Sequence, residues 1–115
     1  MARYLWQGSF TQAGYQALLE EGGTARKREV EEYLGRVGGR VEAFYFSFGN
    51  ADIWAIVEVP DEVAAAALSL HIGAGGFGLE HTTVLLTPEE IDEAVLLHLE
   101  YVIPGSGGEG PTPSG

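Results

Sequence analysis

Three things are scarce in this sequence: cysteine is absent, basic residues number only six, and no apolar run is long. Without cysteine the chain forms no disulfide and offers no thiolate to a metal or a substrate. No apolar stretch approaches the roughly 20 residues of a membrane helix, and Met1–Trp6 lacks the apolar core and cleavage site of a secretory signal. These absences predict a cytoplasmic protein that binds no membrane.

The few basic residues face 17 acidic ones, which gives the 115-residue chain a formal net charge of −11. A surface with this charge repels a polyanion, so we exclude nucleic-acid binding. The acidic residues are spread along the chain, and 45% of all residues are hydrophobic, as in an ordinary globular domain. We expect one domain over residues 1–103 and a disordered Gly-, Pro- and Ser-rich tail over residues 104–115.

Hydrophobic periodicity divides the domain into strands and helices. Alternating apolar side chains predict four strands, over residues 2–8, 40–48, 52–59 and 77–86. Helical spacing predicts three helical regions, over residues 11–37, 60–74 and 88–100. In the first region, Gly22-Gly23 indicates either a kink or two segments, 11–21 and 24–37, because each glycine costs a helix about 1 kcal/mol. The order β-α-β-β-α-β plus a C-terminal helix predicts a ferredoxin-like α+β fold, with helices on one face of a four-stranded antiparallel sheet.

The first arm of the hairpin Arg40–Val59 is apolar on both of its alternating faces. One set of side chains is Val41, Ala43 and Tyr45, and the other is Phe44, Phe46 and Phe48. A half-exposed antiparallel strand alternates apolar with polar residues, so two apolar faces predict a cover on each side. Helices cover one face of the sheet. On the other we expect an apolar interface patch formed by Tyr4, Trp6, Phe44, Phe46, Trp54 and Ile56.

This patch predicts a homodimer, with a second copy of the chain as the missing cover. The last helix begins at a capping box, Thr87–Glu90. It carries more apolar side chains than one stripe along a helix needs. This excess predicts a second interface, and with it a higher homo-oligomer, formed by Val95, Leu96, Leu97 and Leu99. The aromatic side chains of the sheet also suit the walls of a small-molecule pocket, and the sequence leaves both readings open.

Two charged side chains are the best candidates for polar groups at such a pocket. Asp52 follows the turn at Gly49-Asn50, where an aspartate most often accepts backbone hydrogen bonds. As a buried carboxylate at a cavity rim it would instead serve as a general base. Arg26 lies just after Gly22-Gly23, where it would hold a carboxylate or small anion, or pair internally with Asp52 or Glu58.

The three histidines, His71, His81 and His98, have no ligand-like spacing, so we predict no metal site. His81 is the one we consider as a catalytic candidate beside Asp52. The segment Gly73–Gly78 has the letters of a dinucleotide motif, but the motif requires a strand before it and a helix after it. Here that order is reversed, so we predict no nucleotide and no cofactor.

Several segments in the same order resemble the GYD domain family over residues 3–95: Leu19–Arg26, Gly38-Gly39, Phe44–Asp52, Pro60-Asp61 and Leu85–Glu90. In the namesake Gly-Tyr-Asp element, Gly49 and Asp52 are present, whereas Ala51 stands where the family has tyrosine. The resemblance implies a dimeric α+β barrel, in which two ferredoxin-like sheets pack face to face. It implies no particular activity.

Two functions follow from the sequence. The first is a self-associating domain without a catalytic site that binds a small apolar or anionic ligand through Arg26, Trp6, Trp54 and Asp52. The alternative is a cofactor-independent oxygenase or isomerase of the dimeric α+β barrel type, acting on a hydrophobic molecule. In that enzyme Asp52, His81 and Arg26 would be the polar groups and the two tryptophans the walls. This alternative depends on fold analogy, which is a weak argument for function.

Overall fold

A computed structural model describes residues 1–74 and 77–100 of the chain. Its elements in chain order are β1 (Ala2–Phe10), α1 (Gln12–Glu21), α2 (Gly23–Gly35), β2 (Arg40–Phe46), β3 (Ile53–Val59), α3 (Glu62–Ala74), β4 (Phe77–Leu85) and α4 (Pro88–Val95). They fall into two units, Met1–Leu85 and a C-terminal unit that begins at Leu86. The predicted tail, residues 104–115, lies outside the described residues.

The first unit contains a four-stranded sheet in the order β2-β3-β1-β4. Every neighbouring pair of strands is antiparallel, and the two connections to non-adjacent strands run through helices. This is the ferredoxin-like α+β arrangement, so the predicted fold class is confirmed.

The break between α1 and α2 is at Gly22, as one of the two sequence alternatives required. Gly22 has φ 84° and ψ 173°, a backbone conformation that glycine adopts without the penalty of a Cβ atom. Its N–H donates to the Leu18 carbonyl at 2.8 Å, which closes the last turn of α1. The chain then starts α2 at Gly23 in a new direction, and the two-segment prediction is confirmed.

The core lies between the sheet and helices α1, α2 and α3. Even-numbered side chains of β1 and odd-numbered side chains of β3 point to this side, and Leu34 and Leu68 pack on them from the helices. We call this side the helix-covered face and the opposite side the open face. The most enclosed side chains of the core are Leu34, Val57 and Val59.

The strand register divides the expected interface patch between the two faces, so the prediction of one shared patch was wrong. Tyr4 and Trp6 are buried in the core, and Trp6 pairs with Ala55 whereas Trp54 pairs with Gln7. A shift of one residue reverses the face of every side chain in a strand. Trp54 and Ile56 therefore lie on the open face, opposite the other four predicted members: Tyr4, Trp6, Phe44 and Phe46.

A β-bulge in β2 also changes the predicted sets of that strand. Val41 pairs with Val57, and Ala43 pairs with Ile56, so Glu42 is an extra residue with no partner of its own. The bulge places Val41 on the helix-covered face with Phe44 and Phe46, whereas Ala43 and Tyr45 occupy the open face. Val41 was expected to lie with Ala43.

The second unit contains α4, which begins at the predicted capping box. The Thr87 hydroxyl accepts from the Glu90 N–H at 3.1 Å, and the Glu90 carboxylate accepts from the Thr87 N–H at 2.9 Å. The helix ends at Val95, not at residue 100, so Leu96, Leu97 and Leu99 do not extend its apolar stripe as expected. Among the described residues, no helix combines the length and the hydrophobicity of a membrane span.

Candidate functional site

A cavity of about 540 Å³ lies on the helix-covered face of the sheet. We call it the helix–sheet cavity. All four strands and α1, α2 and α3 contribute to its walls. Most lining side chains are apolar, including Trp6, Phe10, Phe44, Ile53, Ala55, Ile72 and Leu79. The polar lining groups are Arg26, Glu29, Glu32, Tyr33, Arg36 and His71.

Helical periodicity on α2 explains how its part of the wall is built. Arg26, Glu29, Val30 and Tyr33 are three or four residues apart, so they stand above one another on one side of the helix. Tyr33 contacts the His71 ring of α3 edge to face, with 6.5 Å between ring centroids. The guanidinium of Arg36 lies over the Tyr33 ring at 5.4 Å, a distance at which a cation–π attraction operates.

Two nitrogen donors of the cavity walls have no hydrogen-bond partner among the described residues: Trp6 Nε1 and Arg26 Nε. Both atoms are closed to solvent, and Trp6 as a whole is only 3% exposed. Leaving a buried donor unpaired costs about 1–3 kcal/mol. Unpaired donors of this kind are rare in native proteins, so each one needs an explanation, and an acceptor supplied by another molecule is one such explanation.

The other nitrogens of Arg26 face carboxylates. Its Nη1 donates to Glu29 Oε2 at 2.8 Å, and its Nη2 lies 4.0 Å from Glu21 Oε2. A hydrogen bond between the carboxyl groups of Glu29 and Glu21 raises the pKa of Glu29, and burial and repulsion from Glu21 and Glu32 act in the same direction. The attraction of Arg26 lowers this pKa but does not outweigh the other effects. Of the alternatives that the sequence left open for Arg26, internal pairing is observed, but its partners are Glu29 and Glu21 and not Asp52 or Glu58.

Asp52 belongs to a different place, the junction between β1 and α1. Its Oδ2 accepts from the Phe10 N–H at 3.0 Å, and its N–H donates to the Gly8 carbonyl at 2.9 Å. The Tyr15 hydroxyl also donates to this carboxylate; that bond, with burial and repulsion from the same carboxylate, raises the pKa of Tyr15. The carboxylate thus accepts a backbone hydrogen bond, as the sequence favoured, but the donor is Phe10 and not a residue of the Gly49-Asn50 turn.

A smaller cavity of about 340 Å³ adjoins this junction. Asp52 and Tyr15 line it with Phe46 and Ser47 among others. Asp52 is not among the lining residues of the helix–sheet cavity. The structure therefore separates the two charged candidates, Asp52 and Arg26, into different cavities.

The open face carries a charged cluster at one end and uncharged side chains beyond it. Arg3 bonds both Glu42 and Glu58, and Arg40 Nε donates to Glu58 Oε2 at 2.8 Å. Burial by itself raises the pKa of Glu58, but the bonds and attraction from Arg40 and Arg3 outweigh it and hold that pKa below its usual value. Beyond this cluster, cross-strand neighbours on the open face form two rows of four side chains, one from each strand. The first row is Ala43, Ile56, Leu5 and Thr83, and the second is Tyr45, Trp54, Gln7 and His81.

His81 and Trp54 thus lie on the open face, on the other side of the sheet from Trp6. Trp54 Nε1 donates to Ser47 Oγ at 2.8 Å, so this indole, unlike that of Trp6, is paired. Of the four predicted ligand-binding residues, the structure brings Trp6 and Arg26 together and leaves Trp54 and Asp52 elsewhere.

Sequence reasoning missed Glu29, Tyr33 and His71 as cavity residues. The spacing of Arg26, Val30 and Tyr33 on α2 was a signal that these side chains share a side of one helix. No pattern in the sequence connects them with His71, because α3 reaches the cavity only through the tertiary fold. Along residues 1–74 and 77–100, no group of three His, Asp or Glu side chains is placed to hold a metal ion.

Comparison with known proteins adds one finding. The GYD domain family matches residues 4–95, which run from β1 to the end of α4 and include every residue that lines the helix–sheet cavity. No curated protein and no solved structure matches the chain. Because the family match spans well over half of the 115 residues, the chain belongs to the GYD domain family.

Proposed function

We propose that this GYD-family protein is a small-molecule-binding domain without a catalytic site, and that the helix–sheet cavity is where its ligand binds. The observation that supports this is the cavity itself. Pockets that hold drug-sized molecules measure about 300–1,000 Å³ and combine apolar walls with a few polar groups. The cavity, at about 540 Å³, falls within that range and has both kinds of lining.

Binding of a neutral fluorescent probe tests this proposal. N-phenyl-1-naphthylamine, whose emission rises in apolar surroundings, is titrated into the purified full-length protein. Ala17 of α1 lines the cavity, so Ala17→Phe inserts a ring into the space that the probe needs. Because the ring and the probe compete for the same space, we expect probe affinity to fall at least about 10-fold, which corresponds to about 1.4 kcal/mol of lost contact.

The matched control is Ala66→Phe, since Ala66 is an exposed helical alanine of α3 that does not line the cavity. Circular dichroism and thermal melts first establish that both variants fold. The control is expected to bind the probe as the wild type does. The proposal is wrong if the wild type does not bind, or if the two variants lose the same affinity.

Self-association through the open face is the second part of the proposed function. All three helices of the first unit pack on the opposite side, which leaves Tyr45 69% exposed beside the half-buried Trp54, Ile56 and Leu5. A second copy with the same sheet supplies an equivalent surface, as a two-fold interface requires. Burying such a patch is what stabilises the apolar core of a homodimer interface.

Sedimentation velocity at micromolar concentration tests the assembly. Tyr45→Lys places a charge on an exposed side chain of the proposed interface and should shift the protein to monomer. Leu70→Lys is the control, because Leu70 is 76% exposed on α3, away from the open face. A wild-type monomer, or equal effects of the two lysines, would contradict an interface at this face.

The alternative proposal, a cofactor-independent oxygenase or isomerase, uses the same cavity. Its proton-transfer groups would be Glu29 and His71, which line that cavity, in place of Asp52 and His81. Isomerisation through an enol exchanges protons next to a carbonyl group. Deuterium exchange into 2-tetralone in D₂O, followed by NMR, should then be faster with the wild type than with His71→Ala. Equal exchange rates would leave binding as the function.

A further inference from the structure

The unpaired donors of the helix–sheet cavity carry information about the ligand. Trp6 Nε1 and Arg26 Nε belong to lining side chains on β1 and α2, and neither has an acceptor among the described residues. A ligand made only of hydrocarbon would leave both donors unpaired, whereas an oxygen acceptor would recover part of the cost of burying them. Because both atoms are closed to solvent, an acceptor in the cavity would reach them only if the indole or the guanidinium turned toward it.

The charges around the cavity decide what kind of acceptor fits. Arg26 and Arg36 are balanced by Glu29 and Glu32 in the lining, and the guanidinium of Arg26 already bonds Glu29 and lies 4.0 Å from Glu21. The raised pKa of Glu29 shows that this place already disfavours a second negative charge. A carboxylate ligand would add one more, in a chain whose net charge is −11. A carbonyl oxygen offers the same lone pairs without the charge.

We infer that the helix–sheet cavity binds neutral, apolar molecules that carry a carbonyl group, such as aryl ketones, quinones or esters. The carbonyl oxygen accepts a hydrogen bond from Trp6 Nε1, with Arg26 Nε as the second donor, and the apolar body lies against Phe10, Phe44 and Leu79. This inference rests on the proposed function, because it names the chemical class of the ligand that the cavity takes.

Three probes of the same ring system test the inference on the full-length protein: 2-acetonaphthone, naphthalene and 2-naphthoate. They differ in bearing a ketone, no acceptor and a carboxylate. A net hydrogen bond contributes about 0.5–1.5 kcal/mol, so we expect the ketone to bind about 2- to 12-fold more tightly than naphthalene. The carboxylate should bind more weakly than the ketone. Calorimetric or fluorescence titration gives all three affinities.

The two indole N–H resonances report where the ketone binds. In ¹H–¹⁵N spectra, assigned with Trp6→Phe and Trp54→Phe, the Trp6 signal should move on addition of 2-acetonaphthone. The Trp54 signal should stay, because its N–H already donates to Ser47 on the opposite side of the sheet. Trp6→Phe should reduce the preference for the ketone over naphthalene, because only Arg26 Nε then remains as a donor, and Trp54→Phe should keep the full preference. If Trp6→Phe does not fold, the shift of the wild-type Trp6 signal decides alone.

The results distinguish failure of this inference, a neutral carbonyl ligand, from failure of the proposed function, small-molecule binding in the cavity. If 2-naphthoate binds most tightly, the ligand is an anion and the inference is wrong, although the cavity still binds small molecules. Equal affinity for all three probes with an unmoved Trp6 signal also overturns the inference and leaves the proposed function standing. If none of the probes binds, and N-phenyl-1-naphthylamine does not bind either, both are wrong.

Discussion

Asp52 offers the sharpest test of a structural against a functional role for a charged residue in this protein. Its carboxylate accepts from the Phe10 N–H at 3.0 Å and from the Tyr15 hydroxyl. A hydrogen bond to a charged group contributes about 1.5–3 kcal/mol when buried, and these are partly exposed. We therefore expect Asp52→Ala to lower the free energy of unfolding by about 2–4 kcal/mol.

Tyr15→Phe removes one of these two bonds and should also lower the free energy of unfolding, by less than Asp52→Ala does. In the double variant the two losses should not add, since the tyrosine hydroxyl has no carboxylate to meet once Asp52 is gone. The loss in the double variant should therefore be smaller than the sum of the two single losses. Urea unfolding followed by tryptophan fluorescence gives each free energy, and comparison of the slopes checks that the unfolded states are alike.

A second measurement makes the test specific to this contact. Absorbance titration of the Tyr15 phenol, identified by its loss in Tyr15→Phe, should show a pKa that falls toward the usual value in Asp52→Ala. The matched control is Asp61→Ala, which removes a carboxylate that caps α3 through one bond, from the Ala64 N–H at 2.8 Å. That cap should contribute about 0.5–2 kcal/mol and leave the Tyr15 titration unchanged. Additive losses, or an Asp52→Ala protein as stable as the wild type, would refute the structural role.

Three further predictions concern the sheet and its turns. The folded-state pKa of Glu58 lies below its unfolded value, so the native state binds fewer protons between these two values. The free energy of unfolding should therefore fall as the pH drops from the unfolded-state pKa to the folded-state pKa. Urea unfolding at a series of pH values should show a smaller fall for Glu58→Gln than for the wild type. A Cβ at Gly39 would lie 2.7 Å from the Glu58 carbonyl oxygen, whereas one at Gly35 meets nothing within 4 Å. Thermal melts should show Gly39→Ala losing about 1–3 kcal/mol and Gly35→Ala gaining about 0.5–1 kcal/mol; equal effects would contradict this. Ser47→Ala leaves the Trp54 N–H without its 2.8 Å partner, so urea unfolding should show a loss of about 1–2 kcal/mol and the Trp54 indole resonance should shift; an unmoved resonance would disprove the bond.

The order of elements could be predicted from the sequence because its signals are local. Glycine pairs mark the ends of helices, Thr87–Glu90 specifies a helix start, and alternation identifies strands. Each signal depends on neighbours within a few residues. The family resemblance combines such local features, so it identified the fold as well.

The faces of the sheet could not be predicted, because they depend on how strands pair. Alternation shows that Tyr4 and Trp6 share a face, but only the pairing of Trp6 with Ala55 shows that Trp54 lies on the other. The bulge at Glu42 leaves no mark in the composition of β2. The cavity required still more, since Trp6, Arg26 and His71 come from three elements that only the tertiary fold brings together.

The bulge makes Glu42 a residue of β2 whose deletion would leave the other side chains of the strand on their present faces. Val41 and Ala43 already occupy successive rungs opposite Val57 and Ile56, so removing Glu42 would give a regular strand with every other side chain on its present face. The main loss would be the carboxylate that bonds Arg3 Nε at 2.8 Å. Deleting Phe44 instead would disturb the core, because Tyr45 would then lie opposite Ala55 on the helix-covered face. Length variation in β2 among related chains is thus expected at this bulge before other positions of the strand.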